Sequence, residues 1–401
     1  MVSVTEHYEA YPYPERDPAD EATRLIVGSP SHPWEIDHWL FGGKRDWARP
    51  FRALVAGGGT GDGLIQLAQV LAWAGVDHDI TYVDLSTQAR AVAEARASAR
   101  GLTGIRFQTG SLLEAGDLGT FDYIDCCGVL HHLPEPEAGF RALRAALAPG
   151  GGMGFMVYAP YGRSGVYPLQ EAFGALFAGL PPEARLAKAR AIVAALPEGH
   201  PFRANRNLGD HEASDAGFYD LLLHGQDRAF AVDELLATLA ATGWRLQGFA
   251  TPALYDLKRI IARPDGMDDA TAMSVAEKLR GTIRMHIAYA VPAEDDRKPA
   301  RGSERTLVPR LRGVQAAALA KAVAQERDIP LTLKEAQAVL RLPKAAAPLI
   351  AAIDGRRSLT TIAQAAGLDP IAFGGAWAAV ERELVDWGLL LYSGLGAGGR
   401  R

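Results

Sequence analysis

The sequence predicts an α/β protein: a doubly wound, mostly parallel seven-stranded sheet with a helical insertion after the fifth strand, followed by a small second module. Three observations predict it. Apolar runs and helix-like runs alternate between residues 50 and 160, the alternation breaks off until about residue 230 and then resumes, and a charged segment at 294–306 precedes a differently patterned tail. Strands separated by helices imply parallel neighbours covered on both faces, because parallel pairing needs a crossover.

Taken in order, residues 1–49 are proline-punctuated and rich in tyrosine, histidine and tryptophan, and are expected to form a lid or a surface strap. The run ALVAG (53–57) reads as a buried strand, Leu64–Trp73 as a helix, DITYVD (79–84) as a second strand and residues 87–100 as a second helix. IRFQTG (105–110) and FDYIDCCG (121–128) continue the rhythm, with a helix from about Glu137 to Leu147, the turn APGGG and a fifth strand at 153–159. Residues 160–230 carry two helical segments and a polar loop, an insertion placed over the ligand edge of the sheet. A helix over AVDELLATLAATGW and strands near 245–251 and 283–291 complete a main domain over 50–293, and EDDRKPARGSERT at 294–306 reads as a linker.

The tail, 307–401, offers a short helix after Ser358, a turn at Gly367 and a second helix with Asp369 as N-cap and Pro370 in its first position, then a strand. Phe373, Trp377, Val380, Leu384 and Trp387 form one apolar stripe. This reads as a winged-helix-like module. Its second helix shows alanines, Glu381, Glu383 and Asp386 where a DNA reader needs Arg, Lys, Asn or Gln, so DNA is not the expected partner. A protein or peptide contact, or a homodimer interface, is expected instead.

Composition sets outer limits. The 401 residues are 48% apolar and 22% charged, enough for two folded units, and a net charge of −5 recommends neither nucleic acid nor an anionic membrane. Cys126 and Cys127, the only cysteines, are neighbours in an apolar stretch and suit a reduced interior, hence the cytoplasm. No uncharged apolar run of 18 residues occurs, and the acid- and proline-interrupted amino terminus does not read as a signal peptide.

The stretch VAGGGTGDG (55–63) poses the functional question, since five glycines at a strand-to-helix turn are unfavourable unless a ligand approaches main chain. A P-loop needs Lys then Ser or Thr after its last glycine, and Leu64 and Ile65 stand there. A dinucleotide fingerprint spaced from Gly57 needs glycine at 62, where Asp62 stands. The remaining class fits: Gly57-x-Gly59-x-Gly61, an acid ending the second strand (Asp84), FDYIDCCGVLHHLPEP and LAPGGGMGFMVY resemble, in order, the motifs of class I S-adenosylmethionine-dependent methyltransferases. The resemblance is strong over residues 50–160 and fainter over 230–291.

It implies a Rossmann-like fold, S-adenosylmethionine as cofactor and S-adenosylhomocysteine as product. Gly57, Gly58, Gly59 and Gly61 would admit the methionyl part, with its carboxylate at the helix start, and Asp84 would accept from the ribose hydroxyls, with Leu85 beside it. Ser111 and Leu112 would flank the adenine, although the family's Gly-Asp is here Gly110-Ser111, and Cys127 and Gly128 would line the floor. Many relatives carry an acid where Val55 stands; either backbone carbonyls replace it or Asp62 takes part of the role, unless Asp62 only complements the helix dipole.

The resemblance implies methyl transfer by in-line displacement, so the chain's task is to position an acceptor, exclude water and remove a proton where needed. His132, Tyr158 and His224 are the expected catalytic groups. Tyr13, His131, Tyr161, Arg163 and Tyr167 are the expected substrate contacts, with Arg163 suited to a carboxylate or phosphate. Packing roles for the histidines and tyrosines remain open. No metal spacing is present. The acceptor class is a small molecule or a peptide or protein; the other readings are a non-catalytic cofactor-binding regulator and a nicotinamide-dependent oxidoreductase.

Overall fold

The computed structural model describes residues 4–396, so the ends of both terminal segments, 1–3 and 397–401, lie outside it. Helix α1 (Val4–Ala10) and helix α2 (Pro33–Leu40) precede strand β1 (Phe51–Ala56). Then α3 (Asp62–Ala74), β2 (His78–Asp84), α4 (Thr87–Ala99), β3 (Ile105–Thr109), β4 (Phe121–Cys127), α5 (Pro136–Ala145) and β5 (Leu147–Tyr158) follow in the expected alternation. The glycine-rich turn before 153 is drawn into β5, which begins at Leu147 opposite Phe121.

The insertion supplies α6 (Val166–Leu176), α7 (Pro182–Ala195) and three short helices, α8 (Pro201–Ala204), α9 (Asp210–Ala213) and α10 (Asp215–Leu222). It has its own small core of Val166, Phe173, Phe202, Phe218 and Leu222. Helix α11 (Val232–Ala241), β6 (Trp244–Phe249), α12 (Asp269–Arg280) and β7 (Met285–Pro292) close the main domain.

The seven strands run in the order β3-β2-β1-β4-β5-β7-β6, and β7 alone is antiparallel to its neighbours. The winding reverses between β1 and β4, which opens a crevice at their carboxyl ends. That crevice positions everything functional.

Small residues on the sheet make room for α2, the helix that sequence left unassigned in the SPSHPWEIDHWLFGG stretch. A Cβ on Gly152 would stand 2.7 Å from Leu40 and one on Gly248 would stand 2.3 Å from Trp39, so these glycines admit the large side chains of α2 onto the sheet face. Ile36, Trp39 and Leu40 thereby join Phe51, Leu64, Leu67 and Tyr289 in one buried cluster. The amino-terminal segment is thus part core element and part strap.

The segment 294–306 has the expected charges, yet it is fixed in place. Arg297 donates to the carbonyls of Leu40 and Gly151 at 3.0 and 2.7 Å, and the Ala300 N–H to the His38 carbonyl at 2.9 Å. Beyond it lie β8 (Pro309–Leu311), α13 (Ala316–Ala324), the antiparallel pair β9 (Ile329–Thr332) and β10 (Gln337–Leu340), α14 (Ala347–Ala351), α15 (Leu359–Ala365), α16 (Pro370–Leu384) and β11 (Leu390–Tyr392), which pairs with β8. Asp369 caps α16 by accepting from the N–H groups of Ile371 and Ala372 at 2.8 and 3.0 Å. Phe373, Trp377, Val380 and Leu384 are buried, as the stripe predicts.

Asp37 of α2 ties the tail to the main domain. Fully buried, it accepts from the Arg45 and Gly394 N–H groups, the Trp47 indole and the Ser393 hydroxyl at 2.7–3.0 Å. Asp37→Ala is expected to lower stability by about 2–4 kcal/mol, because it strands four buried donors. A urea-unfolding midpoint equal to that of the wild type would contradict this role.

Candidate functional site

The turn after β1 is built from backbone constraints. Gly57, Gly59 and Gly61 have φ of 69°, 51° and 100°, a region that side chains rarely adopt. The Gly59 N–H donates to Asp84 Oδ2 at 2.8 Å, and the Tyr82 hydroxyl donates to the Gly59 carbonyl at 2.6 Å. Asp84 Oδ1 accepts from the Ser86 N–H at 2.9 Å. Burial raises the Asp84 carboxyl above its ordinary range.

The strap crosses this turn from the other side. Thr60 donates to the Pro14 carbonyl at 2.6 Å, and Arg16 pairs with Asp62 at 2.6 Å. Arg96 of α4 bridges Asp62 at 2.8 Å and Glu21 at 2.7 Å, and Arg100 also reaches Glu21. Burial alone would push the Asp62 carboxyl up; the hydrogen-bonded guanidinium groups of Arg16 and Arg96 bring it below the usual carboxylate range. Asp62 therefore anchors the strap as well as opening α3.

Turn, strap and insertion line a partly open cavity of about 420 Å³. Among the expected cofactor residues, Gly57, Gly58, Gly59, Asp84, Leu85, Ser111, Leu112, Cys127 and Gly128 line it. Gly61 does not; it packs on Ala93 of α4. The lining offers what the methyl donor needs: an acid at the end of β2, an apolar slot at Leu85 and Leu112, and N–H groups at the start of α3. Asp84 retains acceptor capacity on both oxygens beyond the two N–H groups it already holds.

The opposite wall holds a hydrogen-bonded relay. Tyr8 of α1 and Tyr158 of β5 donate to the two oxygens of Asp220, each at 3.0 Å, and the Tyr8 hydroxyl lies 3.4 Å from His224 Nε2. His224 Nδ1 accepts from the Gln226 N–H at 3.1 Å, which places its proton on Nε2. His132 stacks on His224 with ring centroids 3.8 Å apart, and its Nδ1 sits 2.9 Å from the Gln226 carbonyl. A carbonyl only accepts, so His132 Nδ1 carries the proton and Nε2 keeps the lone pair. Burial lowers the basicity of His132, and burial with the neighbouring His132 lowers His224 to about 3. Both rings are neutral near pH 7. His132, Asp220 and His224 bring ligand-type atoms within 4.8 Å of one another; His224 Nδ1 already accepts the Gln226 N–H and its Nε2 faces the Tyr8 hydroxyl.

His132, Tyr158 and Tyr13 line the cavity; His224 stands behind His132 and Tyr8. Four expected substrate contacts are not brought to the cavity. His131 is buried against Tyr158, and Tyr161 is half-buried elsewhere. Arg163 is matched internally, with Asp227 at 3.1 Å, the Tyr167 hydroxyl at 3.0 Å and its guanidinium 3.6 Å from the Tyr158 ring centre. Its charge is neutralised within the wall, so it braces Tyr158 and does not present a free cation to an incoming anion. Tyr8, Asp125, Met156 and Met285 line the cavity without having been singled out. For Asp125 the signal was a second acid, after Asp122, set between apolar residues of β4.

Comparison with known proteins follows the same lines. Residues 54–153 match the family model described as a methyltransferase domain. An uncharacterised protein of Synechococcus is 31% identical over 278 residues, 67% of this chain and 64% of that protein. A ubiquinone biosynthesis O-methyltransferase of Paraburkholderia xenovorans is 37% identical over 71 residues, 17% of this chain and 30% of that enzyme. The chain thus spans less than two thirds of either relative. PKMT2 of Rickettsia typhi superposes with a TM-score of 0.61 at 14% identity, covering 92% of this chain and 77% of that one, a likeness of fold. The same protein in complex with AdoHcy gives a TM-score of 0.62, over 91% and 76%.

Replacing Asp84 by alanine removes the acid expected to face the ribose and frees the Gly59 N–H. S-adenosylhomocysteine affinity is expected to fall at least about tenfold, read by titration calorimetry. Unchanged affinity would show that the ligand lies elsewhere.

Proposed function

We propose, from the premise that this chain carries a class I S-adenosylmethionine-dependent methyltransferase domain, that it methylates a hydroxyl group of a small molecule, with His132 as general base. The observation that carries this reading is the tautomer of His132: Nδ1–H is committed to the Gln226 carbonyl, which leaves a neutral Nε2 on a ring that lines the cavity. When bound, S-adenosylmethionine supplies an electrophilic methyl group for in-line displacement. Gly57, Gly59, Asp84, Leu85, Ser111 and Leu112 hold and orient it. Tyr158 and Tyr8, fixed on Asp220, shape the acceptor side, and His132 Nε2 takes the hydroxyl proton as it becomes acidic. The strap and insertion exclude water.

Support for a small acceptor comes from the size of the cavity, about 420 Å³, and from α1, Tyr13 and Asp210 along its wall. A neighbouring surface pocket of about 530 Å³ shares Tyr13, Pro14, Arg16 and Asp210 with it, and a peptide side chain is the second acceptor class. Support for oxygen as the acceptor atom comes from the O-methyltransferases among the shorter matches. No helix among the described residues is long and apolar enough to cross a membrane, and both cysteines are free, which suits our assignment to the cytoplasm. We assign the tail a contact role, as a homodimer or peptide surface.

Label transfer from methyl-labelled S-adenosylmethionine into the small-molecule fraction of an extract tests the reading. Cofactor binding with no labelled product would favour a regulator, and saturable binding of a reduced nicotinamide dinucleotide in its place an oxidoreductase. His132→Ala is expected to lower kcat by about 10²–10⁴ with cofactor affinity unchanged. Because burial lowers the His132 pKa, the neutral base persists as pH falls, so kcat should stay level from about pH 8 to about 6.5, the ordinary histidine value. Loss of activity through that window would contradict the assignment.

A further inference from the structure

The carboxylates around the cavity differ in what already balances them. Asp62 is paired with Arg16 and Arg96. Asp84 accepts two backbone N–H groups, and Asp220 accepts two tyrosine hydroxyls with His224 beyond. Asp125 is 2% exposed, accepts from Ser31 and shares the Tyr123 hydroxyl proton, at 3.1 Å, with the Pro30 carbonyl at 3.0 Å; among the described residues no cationic group is paired with it. Burial raises its carboxyl to about 6, so its charge is incompletely compensated in the protein alone.

Its position is specific. In the parallel register of β1 and β4, Asp125 is the direct partner of Val55, at the crevice where the strand order reverses. Both residues line the cavity, and Asp125 Oδ1 lies 3.6 Å from where a Cβ on Gly63 would stand, in the first turn of α3. An acid on the strand next to the glycine turn thus faces the place where an acid at position 55 would act.

We propose that Asp125 binds the α-ammonium group of the cofactor's methionyl part, so that β4 supplies the carboxylate that β1 lacks. The inference rests on the cofactor reading given above. Among the groups of that ligand, adenine and ribose match Leu85, Leu112, Ser111 and Asp84, and the carboxylate matches the N–H groups opening α3. The ammonium is the one cation that donates hydrogen bonds; the sulfonium has no hydrogen to give. A carboxylate offers about four lone-pair positions, and the Tyr123 and Ser31 hydroxyls leave two of them for an ammonium. Ser31 and Tyr123 act as positioning residues.

Titration calorimetry on the full chain tests this with two ligands: S-adenosylhomocysteine, and the same thioether with the amino group replaced by hydrogen. Wild-type protein is expected to bind the deaminated ligand about 30-fold more weakly. Asp125→Asn, which keeps the side chain's shape and one acceptor oxygen but not its charge, should bind S-adenosylhomocysteine about 30-fold more weakly than wild type. It should bind the deaminated ligand within about threefold of wild type. Asp125→Ser should show the same ligand-dependent loss, which separates it from a folding defect. Equal wild-type affinity for the two ligands, or equal loss of both in the variants, overturns the proposal. If wild-type protein binds neither, the cofactor reading itself fails, and this inference with it.

Discussion

The structure depends on one constraint: the glycine-rich turn of residues 57–63 must be held still from two directions. From within the sheet, Asp84 and Tyr82 fix the N–H and carbonyl of Gly59. From outside, Thr60 and Asp62 are tied to the strap through Pro14 and Arg16, with Arg96 closing the chain of charges to Glu21. Glycines alone would leave the turn conformationally free. Held this way, it becomes a floor, and the strap becomes a roof whose position is set by the same residues. Cofactor cradle and acceptor wall are therefore coupled through a few hydrogen bonds.

Much of this was legible in the sequence, for physical reasons. Buried parallel strands are largely apolar runs, so β1, β2, β4 and β5 stand out, with β3 completing their rhythm at the sheet edge, and Asp84 is marked by its place after the apolar run of β2. The apolar stripe of α16 and its Asp-Pro cap were equally plain. What escaped depended on contacts between distant segments. Helix α2 fits the sheet only because Gly152 and Gly248, far away in sequence, leave space for Leu40 and Trp39. The charged run at 294–306 reads as a free linker until Arg297 is seen on main-chain carbonyls of Leu40 and Gly151.

The site shows the same division. Motif spacing locates the cofactor side, where function is carried by backbone shape and one acid. The wall we propose for the acceptor is assembled from α1, β5, α10 and the loop around Gln226, and spacing within any one of them is uninformative. Arg163 illustrates the hazard: a cation near a pocket mouth suggests an anion seat, but Asp227, 64 residues later, neutralises it. Asp125 illustrates the converse, because its meaning emerges only once the register places it beside Val55.

The central claim is that this crevice is shaped around an adenosyl thioether or sulfonium. A crystal structure of the full chain grown with S-adenosylhomocysteine tests it most directly. The account predicts ribose density on Asp84, adenine between Leu85 and Leu112, and the amino acid end over the glycine turn. Density for that ligand outside the crevice, or a different nucleotide occupying it in preference, would contradict the account.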